Sequence, residues 1–216
     1  MKVFVVIPSY NEAQNIGAVL ESLKNYDYQV VVVNDGSSDQ TVEIARSHGV
    51  TVLSHEINRG QGAALYTGTL YALARGADAI VHFDADGQFL ATEIERVIAP
   101  IINGQADIVF GSKFLQANHI PLLKKFFIIK PAILLNNILT GIKLSDVHNG
   151  FRALNRLAAS QIEIRQDAMA HASEIVAQTK KWHLRYQEVP VTIIYREFGQ
   201  GFAGGLQILI DWFIKK

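Results

Sequence analysis

The order of apolar patterns along the first 110 residues constrains the fold of this chain more than any other feature. Short apolar runs alternate with segments in which apolar residues recur three and four positions apart. The predicted strands are Val3–Pro8, Gln29–Asn34, Thr51–His55, Ala79–Asp84 and Asp107–Phe110. The predicted helices are Glu12–Asn25, Thr41–His48, Ala63–Arg75 and Ala91–Asn103, the first with a capping pair at Asn11 and Gln14. This alternation is typical of right-handed βαβ units, so we expect an α/β fold with a mostly parallel sheet flanked by helices.

The second half of the chain departs from this rhythm. Residues 120–144 are strongly apolar, but their longest uncharged run, 131–142, is shorter than the roughly 20 residues that span a bilayer. Farther on we predict a short strand at Phe151–Leu154, a helix at Ala170–Trp182, a strand pair within Leu184–Ile194 and a terminal amphipathic segment at Leu206–Lys216. We expect the Lys-flanked apolar faces of 120–139 and 206–216 to lie on a membrane surface. Packing against the sheet, a partner subunit or a small integral membrane partner is the alternative.

Composition excludes several classes of protein. Twenty Lys and Arg residues balance twenty Asp and Glu residues, which argues against a nucleic-acid partner. There is no cysteine, so disulfides, thiolate metal sites and thiol nucleophiles are excluded. The apolar run Val3–Ile7 is too short for a signal peptide, which predicts a cytoplasmic protein. A length of 216 residues favours one domain over two.

Polar motifs follow the first four predicted strands, where the ligands of an open parallel sheet bind. In chain order they are PSYNE, NDGSSD, NRGQGAA and DADGQ. The first two are equally compatible with ordinary turn chemistry. NRGQGAA places Arg59 and Gly60 at the start of a helix, where free backbone N–H groups favour a phosphate.

DADGQ indicates a cation site. We expect Asp84, Asp86 and Gln88 to lie on the same side of an extended segment, as three hard oxygen ligands suited to Mg²⁺ or Mn²⁺. A polar turn with two solvated aspartates is the alternative. Two carboxylates on one short segment do not flank a sugar from two sides, which excludes glycoside hydrolysis.

Together the four motifs, with FDADGQ at the fourth strand, resemble the family-2 glycosyltransferases of the Rossmann-like GT-A fold. The nearest subgroup is that of dolichyl-phosphate mannosyltransferase and the bacterial polyprenyl-phosphate sugar transferases. The resemblance covers residues 3–112 closely and continues more loosely through DVHNGFRAL and YQEVPV. It implies a GT-A domain over 1–216, with a nucleotide-sugar half at 1–112 and an acceptor-side, membrane-facing extension at 113–216.

The resemblance also implies roles for individual residues on the donor side. The nucleotide of a UDP- or GDP-linked sugar is expected to contact Pro8, Tyr10, Glu12, Asp35, Arg59, Gly60 and Asp84, with Asp35 at its base. Asp84 is placed beside the ribose and the metal, while Asp86 and Gln88 hold the cation.

The acceptor side leaves two alternatives open. A polyprenyl phosphate needs cations to position it, and the candidates are Lys113, Arg152 and Arg196. A sugar hydroxyl needs a base, and the candidates are Asp146, His148, His171 and Glu174. Asp86, Arg152, Asp146 and Glu174 form the predicted catalytic set. Two departures from the family pattern are Lys113, where Arg is common, and His148-Asn149, where small residues are usual.

These features predict an inverting, metal-dependent glycosyltransferase on the inner face of the cytoplasmic membrane. It would move a hexose to a lipid-linked acceptor in bacterial cell-surface glycan synthesis. One alternative is a sugar nucleotidyltransferase, which is disfavoured because no GxGTR-type loop follows the first strand. The others are transfer to a sugar hydroxyl and a non-catalytic protein that binds sugar nucleotides.

Overall fold

The computed structural model describes residues 1–115, 141–167 and 170–194 of the chain. The strands are β1 (Val3–Ser9), β2 (Gln29–Asn34), β3 (Thr51–Ser54), β4 (Ala79–His82), β5 (Ile108–Ser112), β6 (Arg152–Asn155) and β7 (Tyr186–Pro190). The α-helices are α1 (Ile16–Leu23), α2 (Thr41–Ser47), α3 (Gln61–Ala74), α4 (Ile94–Ile102), α5 (Arg156–Gln161) and α6 (His171–Lys181). Two short 3₁₀ turns are Ala91–Glu93 and Lys113–Leu115.

The described strands form one sheet in the order β3-β2-β1-β4-β6-β5-β7. Every neighbouring pair is parallel except the two that involve β6, which runs antiparallel to both β4 and β5. Because β6 is reversed, its first residue, Arg152, lies beside His82 and Phe110, near the carboxyl ends of β4 and β5. The predicted mostly parallel α/β sheet is confirmed.

Helices cover both faces of the sheet, because the side chains of each strand alternate between them. Val5 and Ile7 of β1 pack into the core layer beneath α1 and α4, while Phe4 and Val6 pack into the layer beneath α3 and α6. A Cβ atom at Gly68 of α3 would lie 2.3 Å from a Val6 methyl group, so this helix crosses β1 at very close range. The carboxyl ends of β1, β2 and β4 are therefore supported by helices on both faces of the sheet.

Several predicted boundaries differ from the structure, two of them for clear local reasons. Helix α1 begins at Ile16 rather than Glu12, and Asn11 does not cap it. Asn11 has a φ of 55° and accepts a hydrogen bond from the Ser38 backbone instead. Strand β4 ends at His82, two residues before the predicted end, because the chain then enters a turn.

The predicted strand pair within Leu184–Ile194 is also wrong. Only β7 (Tyr186–Pro190) forms there, as a strand parallel to β5. The residues after it lie against the 3₁₀ turn Ala91–Glu93, where Glu93 accepts bonds from the backbone and hydroxyl of Thr192. The helix predicted at Ala170–Trp182 is confirmed as α6.

Several predictions fall outside the described residues, namely the apolar segment 120–139, the terminal segment 206–216 and Arg196. Within the ranges that the structure describes, no helix is both long and apolar enough to cross a membrane.

Candidate functional site

The loops after β1 and β2 are joined by hydrogen bonds at the carboxyl edge of the sheet. The Asn11 amide donates to Ser37 Oγ over 3.0 Å, and the Asn11 side chain accepts from the Ser38 amide over 2.9 Å. The Glu12 amide donates to Thr41 Oγ1 over 2.8 Å. Much of the polarity in PSYNE and NDGSSD therefore holds the two loops together, while the Tyr10 side chain stays 49% exposed. Pro8 is buried within β1.

Asp35 connects the loop after β2 to the start of α3. Its carboxylate accepts from the Arg59 amide over 2.9 Å, from the Gly60 amide over 2.6 Å and from His55 Nδ1 over 2.7 Å. The residue is only 2% exposed. Asp35 is thus an internal anchor, and its contact with a nucleotide base stays a prediction.

The start of α3 differs from the open phosphate site that the NRGQGAA motif predicts. The Arg59 and Gly60 amides are bound by Asp35, and the Gly62 amide donates to the Asp167 carbonyl over 2.8 Å. A Cβ atom at Gly62 would lie 2.1 Å from the Gln166 carbonyl oxygen, so the glycine is needed for that close packing. A carboxylate of the chain already binds two amides at this helix terminus, while the Arg59 side chain is exposed and available to a ligand.

We define the donor-side loops as residues 9–13, 34–41 and 55–62.

The turn Asp84–Gln88 lies beside the donor-side loops and is not the extended segment that the sequence predicted. Gly87 has a φ of 73°, and Asp86 closes the turn by accepting from the Gln88 amide over 2.9 Å. Asp84 accepts from Gln61 Nε2 over 2.8 Å, which connects this turn to the first residue of α3. The acidic turn and the donor-side loops therefore form a continuous surface.

Excess negative charge marks this surface. Burial, reinforced by the Asp86 carboxylate, raises the pKa of Asp84 to about 7. Burial also raises the pKa of Glu12, with further contributions from Asp86 and Asp39. Three carboxylates thus interact through space at the ends of β1 and β4.

The donor set at this turn fits a divalent cation that is shared with a ligand. Asp84, Asp86 and Gln88 offer hard oxygen atoms, and a cation would favour the ionised form of Asp84, which burial and then the Asp86 charge disfavour. Within residues 1–115, 141–167 and 170–194, no three His, Cys, Asp or Glu side chains form a complete metal cage. Mg²⁺ commonly binds through one or two carboxylates, substrate phosphates and water, which is the type of site that these residues could complete.

Arg152 faces the same carboxylates from inside the sheet. Its residue is 0% exposed, and none of its guanidinium nitrogens has a hydrogen-bond partner among the described residues. Burial lowers the pKa of Arg152 to about 10, while the charges of Asp84 and Asp146 oppose that shift. A Cβ atom at Gly150 would lie 2.5 Å from Asp84 Oδ2, so this segment runs directly against the acidic turn.

The buried position of Arg152 differs from the acceptor contact that the resemblance implied. Arg152 is an internal counter-charge between Asp84 and Asp146, and an acceptor contact stays a prediction. Its neighbour His82 is neutral, because burial, followed by the Arg152 charge, lowers the pKa of His82 to about 3.

We define the acceptor-side group as Lys113, Asp146, His148 and Arg152. The Lys113 amide lies 3.4 Å from Asp146 Oδ2, and Asn149 Nδ2 lies 3.3 Å from the same oxygen. Partial burial lowers the pKa of His148, with Asp146 opposing and Arg152 and Lys113 adding to the shift. The structure thus brings four of the predicted residues together through space.

Two other predicted bases and one cation are placed differently. Glu174 accepts from the Arg165 and Gln166 amides, each over 2.9 Å, and so holds the loop that packs on Gly62. His171 is buried beside Gly62. Arg196 lies outside the described residues. A catalytic role for Glu174 stays a prediction.

Sequence reasoning missed several residues that organise the site. His55 bonds Asp35, Gln61 bonds Asp84, and Glu188 accepts from the Ser145 and Asp146 amides over 2.8 and 3.2 Å. Gln61 lies within the NRGQGAA motif and His55 three residues before it, so both could have been found there. Glu188 lies in a strand far along the chain, and its partners become neighbours only through the β5–β7 pairing.

Proteins with similar sequences cover almost the whole chain. An uncharacterized protein of Methanocaldococcus jannaschii is 35% identical over 100% of this chain and 92% of its own length. The UDP-N-acetylglucosamine–dolichyl-phosphate N-acetylglucosaminyltransferase of Methanococcus voltae is 32% identical over 97% and 92%. The undecaprenyl-phosphate mannosyltransferase of Micrococcus luteus is 29% identical over 95% and 89%.

The fold also has counterparts among solved structures. One is glucosyl-3-phosphoglycerate synthase from Mycobacterium tuberculosis, crystallised with Mn²⁺, UDP and glucosyl-3-phosphoglycerate. It aligns over 95% of this chain and 75% of its own, with a TM-score of 0.72 and 17% sequence identity. This likeness confirms the predicted GT-A fold. The sequence model described as glycosyl transferase family 2 matches residues 4–162, which is most of the chain, and the protein therefore belongs to that family.

Proposed function

We propose that this protein transfers a sugar from a nucleoside diphosphate to the phosphate of a polyprenyl-type lipid. Two of the relatives described above are named for dolichyl phosphate or undecaprenyl phosphate and match nearly full length. One observation in the structure carries the proposal. The acidic turn at Asp84–Gln88 lies between the donor-side loops and the buried cation Arg152.

The donor would bind across the carboxyl ends of β1, β2 and β4, where open α/β sheets bind their ligands. Exposed Tyr10 and Arg59 are available to contact the nucleotide. Asp84, Asp86 and Gln88 would hold a divalent cation beside the diphosphate. When bound, the cation supplies stabilisation of the negative charge that develops on the leaving diphosphate.

A lipid phosphate suits the acceptor-side group better than a sugar hydroxyl does. A phosphate oxygen is already ionised and needs positioning, which Lys113 can supply at the end of β5. A hydroxyl would require a free base, whereas Asp146 Oδ2 already accepts from the Lys113 amide and from Asn149 Nδ2. In one displacement the acceptor would attack opposite the leaving group and invert the anomeric carbon.

The cellular setting extends the same proposal. A lipid acceptor requires contact with a membrane, so we place the protein peripherally on the inner face of the cytoplasmic membrane, directly or through a small membrane partner. The similar proteins come from archaea as well as bacteria. Bacterial cell-surface glycan synthesis therefore stays a prediction about its role.

The test is a screen of UDP- and GDP-linked sugars that measures nucleoside diphosphate release with Mn²⁺. Each donor is incubated with polyprenyl phosphate, with a free sugar or with no acceptor, and lipid-linked product is resolved by thin-layer chromatography. We expect one donor to give release and lipid-linked sugar that both depend on polyprenyl phosphate. Release that depends only on the free sugar would favour a hydroxyl acceptor. No release with any donor, together with nucleotide binding, would favour a non-catalytic binding protein.

A further inference from the structure

His55 begins the third donor-side loop, and its largely buried side chain lies between Asp35 and the body of α3. Its Nδ1 lies 2.7 Å from Asp35 Oδ1, and its Nε2 lies 2.9 Å from Thr67 Oγ1. The side chains of His55 and Asp35 are 9% and 4% exposed. The imidazole therefore spans from the end of β2 to the second turn of α3.

The contacts satisfy both nitrogens of the imidazole ring. A carboxylate accepts, so the imidazole donates its Nδ1–H to Asp35. Nε2 shares a hydrogen bond with the Thr67 hydroxyl, which can act as donor or acceptor. Every polar atom of the ring has a partner, and the carboxylate of Asp35 is fixed in one orientation.

That orientation decides where the segment before α3 lies. The same carboxylate binds the Arg59 and Gly60 amides, so its position sets the position of these two residues. Close packing reinforces the arrangement, since a Cβ atom at Gly36 would lie only 2.8 Å from Asn58 N. Gly60 has a φ of 105°, a conformation that favours glycine and leaves little choice of path into the helix.

We propose that His55 is a positioning residue for donor binding, which acts through Asp35 to hold Arg59 and Gly60 in place against a nucleoside diphosphate. The inference rests on the proposed function for the identity of the ligand. His55 itself does not contact the ligand. Its loss should weaken donor binding and leave the acceptor-side group, which is built from other strands, unaffected.

The test compares three variants of the full chain. His55→Leu removes both contacts, His55→Asn keeps a donor near the position of Nδ1, and Thr67→Val removes only the partner of Nε2. Dissociation constants for UDP and GDP are measured by calorimetry with Mn²⁺, together with donor and acceptor KM. For the tighter-binding nucleotide we expect His55→Leu to raise the dissociation constant and donor KM at least about tenfold, as for loss of a hydrogen bond to a charged group. Acceptor KM should stay within about twofold.

The other variants separate positioning from general damage. His55→Asn should recover most of the affinity, and Thr67→Val should have an intermediate effect. His48→Leu, at an exposed histidine after α2, is the matched control and should behave as wild type. If His55→Leu fails to fold, the other two variants still decide. The proposal would be overturned if Thr67→Val bound the nucleotide with wild-type affinity and His55→Asn raised donor KM and acceptor KM equally.

A second readout does not depend on a ligand. Hydrogen exchange at the Arg59 and Gly60 amides should become faster in His55→Leu than in His48→Leu, because their acceptor is no longer held. Unchanged exchange together with wild-type affinity would overturn the inference. If wild type binds neither nucleotide, the proposed function fails, and the exchange rates alone decide whether His55 holds the loop.

Discussion

The donor-side loops and the acceptor-side group lie at the same edge of the sheet but differ in how their polar groups are paired. In the donor-side loops, Asn11 is hydrogen-bonded to Ser37 and Ser38, and Asp35 accepts a hydrogen bond from the Gly60 amide. In the acceptor-side group, Arg152 is fully buried with no hydrogen-bond partner among the described residues. The comparison indicates donor-side loops that are held by hydrogen bonds, beside an acceptor-side group whose buried guanidinium is balanced by nearby carboxylate charges but makes no hydrogen bond among the described residues. A preformed site loses little freedom on binding, whereas buried donors without hydrogen bonds are costly.

The largest expected effect is at the turn between the two regions. Asp86→Ala should lower turnover by about a thousandfold, because a ligand for the cation that neutralises the leaving group is lost. Turnover is measured as nucleoside diphosphate release at saturating Mn²⁺, with circular dichroism to show that the variant folds. Asp27→Ala, at an exposed carboxylate elsewhere, serves as control. Full activity of the wild type in excess EDTA would contradict this prediction.

A second substitution tests whether the donor side is preformed. Asp35→Ala leaves His55 and the Arg59 and Gly60 amides without their acceptor in a buried place. We expect the nucleoside diphosphate to bind about 30-fold more weakly and the free energy of unfolding to fall by about 2 kcal/mol. Calorimetric titration and urea unfolding measure the two quantities, with Ser54→Ala as control. Unchanged affinity would place the nucleotide away from these loops.

A third substitution separates the two regions kinetically. Lys113→Gln removes a charge that acts on His148 in the acceptor-side group, and it leaves the backbone contact of Lys113 with Asp146 in place. For a phosphate acceptor we expect acceptor KM to rise about tenfold while donor KM and acceptor-free donor hydrolysis stay unchanged. Lys24→Gln, at an exposed lysine on α1's C-terminal side, is the control. Equal changes in both KM values would show that the regions do not act separately.

The smallest expected effect concerns stability and pH. The pKa of Asp84, about 7 in the folded protein, lies above its ordinary 3.8, so the native state holds this proton more tightly. The resulting stabilisation is present at low pH and is lost as the pH rises towards 7. Asp84→Asn keeps an acceptor for Gln61 and avoids this loss, so it should gain about 1 kcal/mol over wild type between pH 6 and pH 8.

Urea unfolding in EDTA measures this difference. His82 also depends on pH, but it is present in both proteins and cancels in the comparison. If the free energy of unfolding depended on pH identically in the two proteins, ionisation of Asp84 would not destabilise the folded state. The same variant should lose transferase activity, since the residue predicted to hold the cation is gone.

How far the sequence predicts this molecule depends on whether contacts are local. The five strands of the first half were predicted because each carries a short apolar run, and the donor-side motifs followed from their places after strands. The capping role predicted for Asn11 was wrong. Asparagine is common both at helix N-caps and in left-handed turn positions, and here it has the left-handed conformation and bonds Ser38.

Contacts between distant segments were not predictable in this way. The burial of Arg152 follows from the insertion of β6 between β4 and β5, and no local pattern encodes that placement. The clamp of Glu188 on Ser145 and Asp146 likewise joins residues that only the sheet brings together. The acceptor side was therefore recognised by resemblance, while its geometry came from the structure.

The position of β6 also bears on how the chain assembles. Strand β5 touches the rest of the sheet only through β6 and β7, both of which come later in the sequence. A nascent chain that ends at residue 115 would hold β5 with no strand beside it and β4 with one bare edge. Such edges invite pairing with other chains. The donor-side loops are thus encoded early, but the sheet beside them is completed only when the region after residue 150 has been synthesised.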